Sequence, residues 1–209
     1  MSNIAIKGAA TGSGTFTLEA PATSTNRTLT LPDEAGTIIT TAGVPSSAMP
    51  AGTVLQVVQG FKTDTFSTAS ATFSDVPDLS VTLTPTSSSS KFLIMVNMTY
   101  LATQFVAHLK LMRNATEIGM ADTASNRPTF FLSYSNGTNA NADGPWVRES
   151  MDFLDSPNTT SAVTYKLQAA KRLDAEGCTF YINRTHPDRN TVGYDARGVS
   201  SIVVMEVAG

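Results

Sequence analysis

The chain has few of the side chains that do chemistry. Its 209 residues include one cysteine (Cys178), two histidines (His108 and His186) and one tryptophan (Trp146). A lone thiol excludes an intrachain disulfide framework, and Cys178 is expected as a small apolar group at a strand start. Charged residues make up only 15% and the net charge is −3, with no cluster of Lys and Arg. A nucleic-acid binder normally carries such a basic patch, so nucleic acid is not an expected partner. No window of 18 apolar residues occurs, so no helical membrane span is expected. The opening Met1-Ser2-Asn3-Ile4-Ala5-Ile6-Lys7 lacks the charged and long apolar regions of a secretory leader.

Catalytic and metal-binding patterns are missing too. A nucleophilic serine needs a base within hydrogen-bond reach, and the 21 serines include no Gly-x-Ser-x-Gly elbow. Glu149 with Asp152, or Asp152 with Asp155, would be the carboxylate pairs of a glycan-cleaving site. Their spacing on a strand carries no special meaning, so no enzyme is expected. There is no Cys/His cluster and no Asp-x-Asp-x-Asp-Gly loop, so neither metal nor cofactor is expected. Three-fold symmetry could still gather one histidine per chain around an axis. His186-Pro187-Asp188 suits that better than His108, with an ordinary polar loop as the alternative. Six Asn-x-Ser/Thr triplets occur, at Asn26, Asn97, Asn114, Asn136, Asn158 and Asn183, but a chain so rich in Ser and Thr produces them by chance.

What the chain does have is β-forming material. Ser and Thr number 51, and 41% of residues are hydrophobic. That excludes wholesale disorder and favours strands and turns over helices. The most apolar stretch is Lys91 to Leu101, read as a strand. One parity is Phe92, Ile94, Val96, Met98, Tyr100; the other is Leu93, Met95, Asn97, Thr99. The first face is apolar throughout and the second for half its length. Such a strand needs cover on both sides, one from its own sandwich and the other from a second copy of the chain.

Residues 1 to about 41 hold three strand-sized pieces, 15–19, 28–31 and 37–40, with turn chemistry between them. So short a segment has too little apolar surface to offset its chain entropy alone. Residues 42–52 read as a Pro/Gly/Ser linker. Further strands are expected over 53–59, 79–84, 105–113, 146–154, 164–170, 179–183 and 201–207, with a turn at Asn114-Ala115-Thr116 and a short return through Ile118. The expected fold is therefore all-β, with short N-terminal β segments (1–50) followed by a jelly-roll or β-sandwich domain (51–209). Two long polar inserts interrupt it, Asp122 to Pro145 and Arg184 to Val199. Loops of that length are usually functional or disordered.

Two stretches resemble the tail-fibre proteins of tailed bacteriophages, particularly those of cyanobacterial and marine hosts. One is Gly14-Thr15-Phe16-Thr17-Leu18 followed by Arg27 to Ile38, similar to a recurring shaft or collar segment. The other is the C-terminal domain, through Ser88-Ser89-Ser90-Lys91, Leu154-Asp155-Ser156-Pro157, Phe180 to Arg184 and Met205-Glu206-Val207. It resembles trimeric jelly-roll fibre heads. The resemblance implies a homotrimeric virion protein on the phage tail, or on the capsid surface as a decoration or head fibre. Residues 1–50 would join other tail or baseplate proteins, and the head would bind a host cell-surface glycan or protein. Aromatic rings that stack on sugars, beside Asn, Asp and Arg groups, suit such a partner. The candidate binding residues on the inserts are Tyr134, Asn136, Trp146, Asp188, Arg189 and Tyr194. Phe130, Phe131 and Trp146 have a plainer alternative as core or trimer-seam residues.

Overall fold

The computed structural model describes residues 11–14, 17, 22, 24–26, 28, 44, 49–103, 106–135, 146–172, 177–190 and 195–209. The chain divides into two compact units, Met1–Ile39 and Thr40–Gly209. The strand pieces expected over 15–19, 28–31 and 37–40 lie outside the described residues, except at Thr17 and Thr28. All the described strands belong to the second unit, and no helix occurs among the described residues.

The second unit is a β-sandwich of antiparallel strands: β1 (Val54–Lys62), β2 (Phe66–Thr68), β3 (Ser74–Leu83), β4 (Lys91–Thr103), β5 (Val106–Arg113), β6 (Thr116–Ile118), β7 (Leu132–Ser135), β8 (Val147–Asp155), β9 (Val163–Lys171), β10 (Thr179–Ile182) and β11 (Ser200–Val207). One sheet has six strands in the order β1-β11-β4-β10-β2, with β8 on the other edge of β4. The second sheet has five, in the order β3-β9-β5-β6, with β7 also paired to β5.

β4 is the spine of the first sheet. Its apolar parity points inward, with Phe92, Ile94, Val96, Met98 and Tyr100 all buried. Register places Val204 and Phe153 beside Ile94, and Ile202 and Met151 beside Val96, so neighbouring strands extend the same apolar face. Opposite lie Leu79, Val81 and Leu83 of β3, Tyr165 and Leu167 of β9, and Leu109 and Leu111 of β5. Phe92 and Tyr165 bridge the two sheets with ring centroids 5.8 Å apart. Each such side chain contributes about 1.5–3 kcal/mol on burial, so period-two alternation is enough to hold the register.

Two polar devices sit within this apolar interior. Glu206 of β11 is fully buried and accepts hydrogen bonds from Gln56 Nε2 (2.5 Å) and from both the amide and hydroxyl of Thr86 (2.7 Å each). Burial works to raise its pKa, but the Ser90, Gln56 and Thr86 donors outweigh that and hold it below the ordinary value.

The second device is the point where β10 and β11 share one edge of β4. β11 covers Lys91 to Asn97, and β10 covers Tyr100 to Thr103. Between them Asn183, with φ 62°, donates from its backbone to Thr99 O at 2.9 Å. Its side chain donates to Lys62 O (3.0 Å) and Asp64 O (2.9 Å), and its Oδ1 accepts from Ser200 Oγ (2.7 Å). Ser200 Oγ in turn accepts from the Thr99 amide at 3.0 Å. Asn183 thus satisfies every strand end at the split, which a buried break in a sheet requires.

Most expected strands are found within a residue or two of their places. The structure departs from the expected layout in the first insert, which is not one long loop. Leu132–Ser135 forms β7 against β5, and Phe131 enters the core at 6% exposure. The short β2 also lacks a strong local signal, and its pairing with β10 supplies what its own three residues do not.

Candidate functional site

The ends of the two inserts meet at one place. Trp146 immediately precedes β8, whose pairing sets Arg148 opposite Thr99 and Val147 opposite Tyr100. The second insert returns to the sheet through Arg197, Gly198 and Val199, just before β11. It is closed at its base by the Arg184–Arg197 bridge and by the Gly198 amide donating to Asn183 O at 3.0 Å. Together Thr99, Trp146, Val147, Arg148, Arg197, Gly198 and Val199 line a cleft of about 400 Å³.

Glycine is required at position 198. A Cβ there would lie 2.8 Å from both Thr99 Cγ2 and Trp146 Cζ2, so any other residue would push the indole off the strand. The Trp146 ring is half-buried, and its Nε1 is a buried donor with no hydrogen-bond partner. A buried donor left unmade is costly. Beside the ring, Arg148 is exposed and the Arg197 side chain is 57% exposed. The cleft thus combines an aromatic wall and two guanidinium groups.

The loop behind it is cross-braced by charge. Asp188 accepts from Arg197 Nη2 at 2.7 Å and from Arg184 Nη1 at 3.3 Å. Arg189 Nε reaches Asp195 at 2.9 Å, and Thr185 Oγ1 donates to the same carboxylate at 3.1 Å. The Arg189 hydrogen bond, followed by that from Thr185, lowers the Asp195 pKa against the opposing effect of burial. Arg184 lies over the Tyr181 ring at 4.5 Å, and the His186 ring packs against the same tyrosine at 5.0 Å. No group of three or more potential metal ligands occurs among the described residues.

The six candidate residues therefore separate. Trp146 lines the cleft, while Asp188 and Arg189 brace the loop that forms one side of it. Tyr134 is elsewhere. It lies on β7 with its ring edge-on to Tyr100 at 5.3 Å, packed against the core, and burial raises its pKa, with the Glu149 charge adding to the rise. Asn136 and Tyr194 lie outside the described residues. Sequence reasoning missed Thr99, Arg148 and Gly198, while Arg197 lies in the second insert that it singled out as a binding surface. An Arg-Gly pair at the end of a long insert, next to a strand start, was the available signal.

His108 and Cys178 take structural places. Cys178 is buried just ahead of β10, its thiol pKa raised by burial. His108 is buried on the outward side of β5, where Phe130 stacks on its ring at 3.8 Å. No protein-family model matches the chain, and no curated protein matches it.

Proposed function

We propose that this protein is a virion component of a tailed bacteriophage, a homotrimeric tail fibre. Its sandwich adheres to a host-surface glycan without transforming it, and residues 1–50 attach it to other virion proteins. The observation that carries this reading is the Trp146 cleft. An indole ring with flanking Arg148 and Arg197 forms an arrangement suited to holding a sugar. No residue of the cleft is a nucleophile–base pair or a carboxylate pair, so adhesion is the function that it serves best. One such contact is weak, and several on one particle become strong through effective concentration.

Support for the trimer comes from the outward side of the six-stranded sheet. Register aligns Val57, Met205, Leu93 and Leu154 in one row across β1, β11, β4 and β8, and Val203 and Met95 in the next. Val57, Phe61 and Leu154 are each more than half exposed in the single chain. A contiguous apolar patch of this kind is what an obligate interface looks like when opened, and closed cyclic symmetry would cover all copies alike.

The test of adhesion is Trp146→Ala in a particle with its fibre assembled. Adsorption to host cells is expected to fall by about tenfold, the scale of one lost aromatic anchor. Undiminished adsorption, with the fibre incorporated, would favour a purely structural place such as a capsid decoration.

A further inference from the structure

The outward face of the five-stranded sheet carries a cavity of its own. Along β5, Ala107, Leu109 and Leu111 point into the core, so His108 points out. The first insert folds back over this face and sets Phe130 flat on the His108 ring, with centroids 3.8 Å apart and ring planes at 20°. Phe73, one residue ahead of β3, lies 5.7 Å from Phe130. Lys110 Nζ covers the Phe73 ring at 4.3 Å and is held there by Glu117 at 2.7 Å. Each phenyl ring thus has one face taken by the chain and still lines the cavity beside it.

The cavity measures about 690 Å³, within the roughly 300–1,000 Å³ of small-molecule sites. Phe73, Pro128 and Phe130 supply its carbon, and His108 and Asn126 supply polar atoms. Lys171 and Arg172 also line it, but each already has a partner within the chain, so the groups left to a ligand are the imidazole and the amide. His108 is 9% exposed, and its Nδ1 is engaged by Ser133 Oγ at 3.2 Å. Nε2 has no hydrogen-bond partner among the described residues. Burial, then the nearby Arg172, hold the imidazole pKa down to about 4, so the ring is neutral at ordinary pH. Asn126 is exposed on the turn closed by the Ala124–Arg127 bridge, where its amide can reach a ligand.

We infer that this cavity binds an uncharged pyranose, with the C–H face of the sugar against Phe73 and Phe130 and its hydroxyls on His108 Nε2 and Asn126. The aromatic wall suits the apolar face of such a ring. A hydroxyl both donates and accepts, so it can meet Nε2 in either tautomer of a neutral imidazole, whereas a carboxylate meets only an N–H. The Asn126 amide likewise offers a donor and an acceptor to neighbouring hydroxyls. The inference goes beyond the adhesion reading, because none of these groups belongs to the Trp146 cleft.

The chain has two histidines and one tryptophan, so NMR can follow the two sites separately through the His108 and Trp146 ring signals. The full-length assembled protein, with labelled histidine, is titrated with the methyl glycosides of glucose, galactose, mannose and N-acetylglucosamine; His186→Gln assigns the histidine pair. At least one glycoside should shift the His108 signal saturably, and equally so in Trp146→Ala. Phe130→Ala should weaken that binding about tenfold, the scale of one lost aromatic wall. Asn126→Ala should weaken it about fivefold, the scale of one neutral hydrogen bond. Thermal unfolding checks that each variant is folded, and Asn126→Ala, on an exposed turn, decides the matter if Phe130→Ala does not fold. No saturable His108 shift with any of the four, or unchanged binding by Asn126→Ala, overturns the inference. Benzyl alcohol binding as tightly as the best glycoside overturns its saccharide part, and methyl galacturonide binding more tightly than methyl galactoside overturns its uncharged part. A shift lost in Trp146→Ala overturns the separate site. Absence of the shift beside Trp146-dependent adsorption removes this site and leaves adhesion standing, whereas a retained shift beside undiminished adsorption by Trp146→Ala removes the adhesion reading and keeps this site.

Discussion

The two outward faces of the sandwich are built to opposite specifications. On the five-stranded sheet several outward positions are polar and already paired. Thr82 and Thr164 hydroxyls lie 2.7 Å apart, and Asp75 accepts from Lys166 and Gln168 at 2.7 Å each. Where that face turns less polar, at His108, the chain's own Phe130 covers it. On the six-stranded sheet the outward rows read Val57, Met205, Leu93, Leu154 and Val203, Met95, and among the described residues no segment folds over them. The first face is complete in one chain. The second carries the apolar rows that the trimer proposal assigns to a copy of the same chain.

The largest effect should come from putting charge into that second face. Leu93→Asp is expected to dissociate the assembly into 22.1 kDa chains or to prevent folding altogether. Thr164→Glu, at an outward position of the other sheet, should leave the mass unchanged. Light scattering over a wide dilution range reads both. A wild-type protein that stays folded and monomeric at nanomolar concentration would end the comparison, since its bare face would then need no partner.

A smaller effect is expected where the six-stranded sheet splits. Asn183→Ala strands the Lys62 and Asp64 carbonyls and Ser200 Oγ together in a buried site. Urea titration should show a loss of about 3 kcal/mol, since each orphaned buried group costs about 1–3 kcal/mol. On the five-stranded sheet β6 and β7 likewise share one edge of β5, and Thr164→Val, away from that edge on the outward face, should change stability by only about 0.5 kcal/mol. Equal losses for the two variants would show that the split is not a special point.

The smallest effect is in acid. The folded pKa of Glu206 is held below its ordinary value of 4.5, so its contribution is fully present above pH 4.5 and is lost as pH falls through the lower folded value. Asp75 behaves alike, lowered first by Lys166 and then by Gln168 from an ordinary value of 3.8. Its side chain is 54% exposed, and solvent screening shrinks its share. Thermal melts from pH 6 to pH 3 should therefore lose more acid sensitivity in Glu206→Gln than in Asp75→Asn. The reverse order would place the acid-labile contact on the surface.

Much of the sandwich was legible because alternation is a local property. β4 could be read with its faces assigned, since Phe92, Ile94, Val96, Met98 and Tyr100 declare one side without reference to any partner. β8, β9 and β11 were placed as strands to within a residue, and β3 only in its second half, since a register shift between Asp75 and Ser80 interrupts its first. β7 was hidden because Leu-Ser-Tyr-Ser is too short to show a period, and it exists as a strand through the edge that β5 offers it. For the same reason Tyr134 looked like a loop residue and is a core-packed one.

The site was legible only in part. Trp146 stood out by being the single tryptophan, but Arg148, Arg197 and Gly198 are unremarkable as letters. They become a cleft because β10 and β11 share an edge of β4, which carries the end of the second insert to the start of β8.

By itself, then, the sequence determined the all-β class, the strands with clear alternation and their inward faces, because residue-by-residue burial preference operates within a strand. Strand order, the split at Asn183, which outward face is covered and which insert residues meet were decided by the tertiary structure alone. Those depend on pairing between segments more than a hundred residues apart, as Val57 with Met205 shows, and no local pattern encodes which edges will meet.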